Sequence, residues 1–339
     1  MRLPSIALLL VAGVGNAAYA ADYKPEFKMS VVANEDTAWG RAANRFANAV
    51  RFRTQGRISI KNHFEGRLFT GEQTTEFDLM QKGVADFAIG STVNWSPQVK
   101  ELNLFLLPFL FSNHAALDAV EAGETGQRLF KLVEQKGVVP IAWGENGFRE
   151  VTNSKRAIRR PEDLHGLKIR VPPIPIVTEI FEVLGAKPVP MNWDRALVAF
   201  QQQTVDGQEN PVGLIIPYKL WAVHNHVTLW HYAIDPLILA VSAKTWATLS
   251  PEDQRILREA GEEIMAEQKK EAREGVTDAT LVDSLQKIYQ MEVTRLSPPD
   301  IEVFREKTKT VYDKWARNIG VEIVRSAEKL AEKENRKPN

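Results

Sequence analysis

The chain has no cysteine among its 339 residues. That excludes disulfides and any lipid attached through an N-terminal thiol, and a core of this size folds without such staples. An excess of charge is also missing: 43 Lys and Arg face 43 Asp and Glu. Nothing in the net charge draws the chain to nucleic acid or to an anionic membrane surface. The patterns G-x-S-x-G, H-E-x-x-H, G-x-G-x-x-G and the Walker loop are absent, so an enzyme is not expected and no catalytic residue is assigned. After residue 20 no apolar run approaches the roughly 20 residues that span a bilayer.

What is present begins with residues 1–20. Arg2, an apolar run over 6–14 and the ending Ala18-Tyr19-Ala20 read as a secretory signal peptide cleaved after Ala20. The mature chain is therefore expected to be soluble and exported, and its length suggests two domains, since one core seldom grows past about 250 residues. "FKMSVVA", a helix capped near Asp36 with Trp39, Ala43, Phe46 and Val50 on one face, "RISIKNHF", the helical "EFDLMQK" and "ADFAIG" alternate strand and helix. That rhythm predicts an α/β fold with a parallel sheet.

A helix over 115–135, the strand "VVPIAW" and a polar turn "GENG" at 144–147 close the first unit, and the pattern restarts at Phe148. "DPLILAVSA" is expected to return the chain to the first unit, followed by a long helix from Ser250, Pro251 and Asp253 that runs between the lobes. The expected division is lobe I at 21–146 plus 236–275, lobe II at 147–235 plus 276–330, and a charged tail at 331–339. Locally basic residues Lys155, Arg156, Arg159 and Arg160, relieved by Glu162 and Asp163, read as a solvated face.

Polar residues at the ends of apolar elements mark a cleft between lobes. They are Asn34, Ser91 and Thr92 in the first unit, and Arg149, Arg170 and Asn210 with its neighbours Gln208 and Glu209 in the second. In "LKIRV" the aliphatic residues Leu167, Ile169 and Val171 alternate with Lys168 and Arg170. Burying a bare guanidinium costs several kcal/mol, so Arg170 must meet either an internal carboxylate or a ligand. Two guanidinium groups and an amide suit an incoming carboxylate. Trp39, Trp95, Trp143 and Trp193 lie near element ends, where a ring packs the core or walls a pocket. In "HNHVTLWH" His224, His226 and His231 have no cysteine or acid to complete a metal set, so no metal is assigned.

"FREVTNSKRAIRRPEDLHGLKIRVP" and "LGAKPVPMNWDRALVAFQQQTVDGQENP", with "GVADFAIG" and "LSPEDQRIL", resemble the DctP-type solute-binding subunits of tripartite ATP-independent periplasmic (TRAP) transporters. The resemblance implies two α/β lobes of the type II-like periplasmic binding fold, with crossing strands and a long inter-lobe helix, closing on a ligand. It implies that Arg170 binds a substrate carboxylate bidentately, that Arg149 is a second basic contact and that Asn210 orients the same group. Asn34, Ser91, Thr92 and Trp193 complete the expected site. Members specific for sialic acid place a carboxylate near the position of Ser91, so that ligand is not expected. The implied partners are a small organic acid and the small and large membrane subunits, met by transient docking at the inner membrane from the periplasm, with no cofactor and no nucleic acid. An exported enzyme acting on carboxylates and a sensor module for the same acid are the alternatives.

Overall fold

The computed structural model describes residues 23–69, 72–277 and 280–335. The segment read as a signal peptide lies outside them. One nine-stranded sheet runs through the molecule in the order β2-β1-β3-β8-β4-β7-β5-β6, with β9 added beside β8. Its strands are β1 (Phe27–Val31), β2 (Ile60–His63), β3 (Phe87–Ser91), β4 (Val138–Asn153), β5 (Lys168–Val171), β6 (Lys187–Pro190), β7 (Gly207–Pro211), β8 (His226–Ser242) and β9 (Glu292–Arg295). In the first lobe β2, β1 and β3 are parallel, and in the second β7, β5 and β6 are parallel. The alternating α/β pattern requires this arrangement, because helices cover both faces.

Two long strands belong to both lobes. β4 and β8 pair antiparallel from Val138 with Ser242 to Asn153 with His226. The glycines of "GENG" were expected to form a turn, and instead β4 runs straight through them. The reason lies in the helix Pro251–Thr277: a Cβ on Gly144 would stand 2.2 Å from Met265 Cε and 2.8 Å from Gln268 Oε1. Glycine leaves room there for the ends of both side chains, and Gln268 bonds both the N–H (2.8 Å) and the carbonyl (2.6 Å) of Glu145. The ladder is interrupted by shifts at Pro140/Ala142, Glu145/Gly147 and Arg149/Val151. At the last of these, Glu150 Oε2 accepts from the N–H of Trp230 (2.7 Å) and of His231 (3.1 Å), which the bulge leaves unpaired.

The first lobe buries Phe27, Met29 and Val31 under the helix Ala38–Arg53, whose Trp39, Ala43, Phe46 and Val50 face inward. The expected helix over 115–135 is two helices, His114–Ala122 and Glu124–Gln135, broken at Gly123. They pack with the helix Val321–Asn335, which buries Ala331 inside the segment read as a tail. The opposite face of the sheet carries one apolar cluster continuous from Phe77 and Met80 through Phe105 to Ile169, Phe181 and Trp230. This geometry directs the C-terminal ends of β1, β3, β5 and β7 toward a common cleft, where open α/β sheets hold their ligands.

Candidate functional site

β5 behaves as its alternation requires: Ile169 and Val171 enter the core, and Arg170 emerges from the opposite face, only 1% exposed. Its Nε (3.0 Å) and Nη2 (2.7 Å) donate to the Met191 carbonyl, and its guanidinium carbon lies 5.3 Å from the Trp193 ring centroid. Among the described residues it forms no ion pair, because the carboxylates of Glu209 and Asp194 act on it only from a distance. Burial, opposed by Glu209 and reinforced by the charge of Arg149, pulls its pKa down to about 9. It remains a cation at neutral pH.

Arg149 stands in the same cavity wall with its charge already engaged. Its Nε (2.6 Å) and Nη2 (2.7 Å) grip both oxygens of Glu209, and Nη1 reaches Asp235 Oδ2 at 3.2 Å. Burial lowers its pKa and Glu209 more than compensates, so the net shift is upward. Glu209, which sequence placed beside the site, is fully buried in β7 and takes a further bond from the Tyr232 hydroxyl (2.6 Å). Asn210 accepts from Arg149 Nη2 at 3.1 Å and donates to Gln208 Oε1 at 2.7 Å. Gln208 continues to the Thr152 hydroxyl, which sits 2.9 Å from His224 Nδ1.

The cavity between the lobes, ≈ 40 Å³, is lined by Arg170, Arg149, Asn210, Ser91 and Trp193 from the expected set. By that measure it has room for about three waters. Ser91 accepts from the N–H of Val93 and donates to Asp235 Oδ1 at 2.6 Å. Asn34 and Thr92 do not reach the wall. The Asn34 N–H instead crosses the cleft to the Tyr218 hydroxyl at 2.8 Å, and Thr92 is fully buried. Of the tryptophans, Trp39 and Trp193 line the cavity, Trp95 bonds Glu76 in the core and Trp143 stacks on Phe130.

Sequence reasoning missed Gln73, Asn94, Asn146, Tyr218 and Asp235, all in the wall. Gln73 donates to Asn94 Oδ1 (2.6 Å) and accepts from the backbone N–H of Trp193 across the cleft (2.8 Å). Asp235 gathers bonds from Ser91, Asn146 and Arg149, while its burial raises its pKa. Its signal was available: a lone acid heading the apolar run "PLILA" invites the same question as Arg170. A larger outer chamber, ≈ 520 Å³, shares Val32, Gln73, Trp193 and Tyr218 with the inner one. The three histidines of "HNHVTLWH" face different partners, Thr152, Glu292 and Glu150, and no group suited to hold a metal occurs among the described residues.

Two lobes that share a pair of strands and shut on a polar cavity are built to enclose a solute, and they define a two-lobed solute-binding protein. The chain belongs to the bacterial extracellular solute-binding protein family 7, DctP, whose model matches residues 29–318. A TRAP periplasmic solute-binding protein from Ralstonia eutropha H16, solved with (S)-2-acetolactate, is 44% identical with a TM-score of 0.90, covering 92% of this chain and 100% of its own. The sugar-acid-binding protein DctPAm of Advenella mimigardefordensis, solved with galactonate, is 29% identical with a TM-score of 0.86, covering 92% and 99%. An uncharacterized protein, y4mM, of Sinorhizobium fredii is 33% identical over 285 residues, 84% of this chain; the match spans about half (51%) of that relative's length. No helix of the described residues is long and apolar enough to cross a membrane.

Proposed function

We propose that this chain captures a small organic acid in the periplasm, holds its carboxylate on Arg170, and hands the solute unaltered to the small and large TRAP membrane subunits. The observation that carries the reading is Arg170 itself: a buried guanidinium whose one hydrogen-bond acceptor among the described residues is a backbone carbonyl. A buried charge is tolerated where a partner of opposite sign arrives, and the planar fork of arginine matches a carboxylate with two parallel bonds. Asn210 and Arg149 position that group from the side, and Trp193 fixes the guanidinium plane. The acids bound by the Ralstonia and Advenella relatives support the same class of ligand. The signal-like residues 1–20 support export.

The test is a thermal-shift screen of small organic acids followed by calorimetry on wild type and Arg170→Gln. The expected result is a stabilising acid whose affinity falls in the variant by about 2–5 kcal/mol, the usual cost of truncating one partner of a desolvated charge pair. Equal affinity in a folded variant overturns the assignment. Recovery of a chemically altered acid overturns the binding-protein reading in favour of an enzyme.

A further inference from the structure

Resting on that reading of the cleft, we infer that the cavity is built for a monocarboxylate whose remaining groups are uncharged hydroxyl or keto oxygens, and that Asp235 is the residue that excludes dicarboxylates. Two guanidinium groups reach the wall, and the structure distinguishes them sharply. Arg149 is bonded to both oxygens of Glu209 and also to Asp235, so two carboxylates already share its one charge. Arg170 alone faces the cavity without an acidic partner among the described residues. Within the inner cavity one ligand carboxylate therefore has a cation to meet and a second has none, since Arg67 lines only the outer chamber.

The second carboxylate would instead lie against Asp235. That side chain is held in the wall from three directions, by Ser91 (2.6 Å), Asn146 (2.9 Å) and Arg149 (3.2 Å). It comes from β8, one of the crossing strands, and is 1% exposed, so it cannot swing into water to relieve repulsion. It lines the inner cavity that Arg170 also lines, and like charges within a few ångströms in a poorly solvated site repel strongly. The rest of the polar wall is the amides of Gln73, Asn94, Asn146 and Asn210 with the hydroxyls of Ser91 and Tyr218. Amides offer both donors and acceptors, which suits hydroxyl and keto groups and neutralises no second charge.

The experiment compares 2-hydroxy-2-methylbutanoate with 2-hydroxy-2-methylbutanedioate, which differ by a carboxylate in place of a methyl group, by calorimetry at pH 7.5. In the wild-type protein the monoacid is expected to bind at least about tenfold more tightly, the effect of a modest uncompensated repulsion. In Asp235→Asn, whose amide keeps the shape while Arg149 retains Glu209, that ratio should collapse toward one because the diacid gains. If the variant does not fold, the wild-type pH profile decides instead: lowering the pH toward the carboxyl range should strengthen the diacid and leave the monoacid behind. A diacid that binds wild type as tightly as the monoacid, or a diacid whose affinity is indifferent to both Asp235→Asn and pH, overturns the inference while leaving the Arg170 reading intact. Binding of neither acid, with no stabilising acid in the screen, overturns both.

Discussion

The contact between Asn34 and Tyr218 makes a prediction that can be worked through. The Tyr218 hydroxyl accepts the Asn34 N–H at 2.8 Å, joining a loop after β1 in one lobe to a segment after β7 in the other. Burial pushes the phenol up to about 12, so the group stays neutral throughout the working range of pH. Tyr218→Phe keeps the ring, which packs edge-on against Trp193 at 5.0 Å and 88°, and removes one oxygen. A neutral hydrogen bond contributes about 0.5–1.5 kcal/mol, and a part-buried N–H left without an acceptor puts the loss at the upper end of that range. With the lobes apart both groups find water, so the loss falls on the shut form alone. Taking about 1.5 kcal/mol, the shut fraction drops roughly tenfold, and the apparent Kd rises by the same factor because it scales inversely with that fraction. Calorimetry with the acid found by screening reads the Kd, and small-angle scattering without ligand reads the lobe separation. An unchanged Kd refutes the reasoning. So does a fall in Tm that is equal with and without ligand, since it would assign the bond to packing within a lobe.

Two further outcomes follow from the buried network. Glu209→Gln should lower unfolding stability by about 3 kcal/mol, because it leaves the buried Arg149 short of its bidentate partner; a urea midpoint indistinguishable from wild type contradicts this. His224 is held neutral by burial, its pKa lowered to about 4. The unfolded chain binds that proton near pH 6.5 and the native one does not, so this stabilisation is fully present above pH 6.5. It is lost as the pH falls from 6.5 to 4, by about 3 kcal/mol in total. Urea titrations at pH 7 and 4.5 should show that slope, and His224→Gln should flatten it; an equal slope in the variant removes His224 as the cause.

Much of this arrangement was legible in the residues. The alternation of "LKIRV" fixes which face Arg170 takes, and the periodicity around Phe46 fixes the packing face of its helix, because both depend on local spacing alone. The end of the first unit was harder, since glycine in "GENG" signals a turn and a close helix contact equally. Arg149 shows the same limit in the site. Sequence supplies a second guanidinium near Asn210, but whether its charge is free depends on Glu209 and Asp235, which lie 60 and 86 residues away in the chain. Gln73 and Tyr218 were invisible for a related reason: their role exists only where two lobes touch, and neither residue stands out in its own segment.

The shared strands have a mechanical consequence. A joint made of sliding surfaces has play, whereas β4 and β8 form a hydrogen-bonded ribbon of continuous backbone across both lobes. Such a ribbon works as a flexure. It would bend first where its ladder is interrupted, at the bulges, one of which ties the N–H groups of Trp230 and His231 to Glu150, while the paired register on either side holds each lobe's own geometry. Asp235 stands on that ribbon and Arg170 on a strand joined to it through β7, so the spacing between the two side chains is built into the sheet.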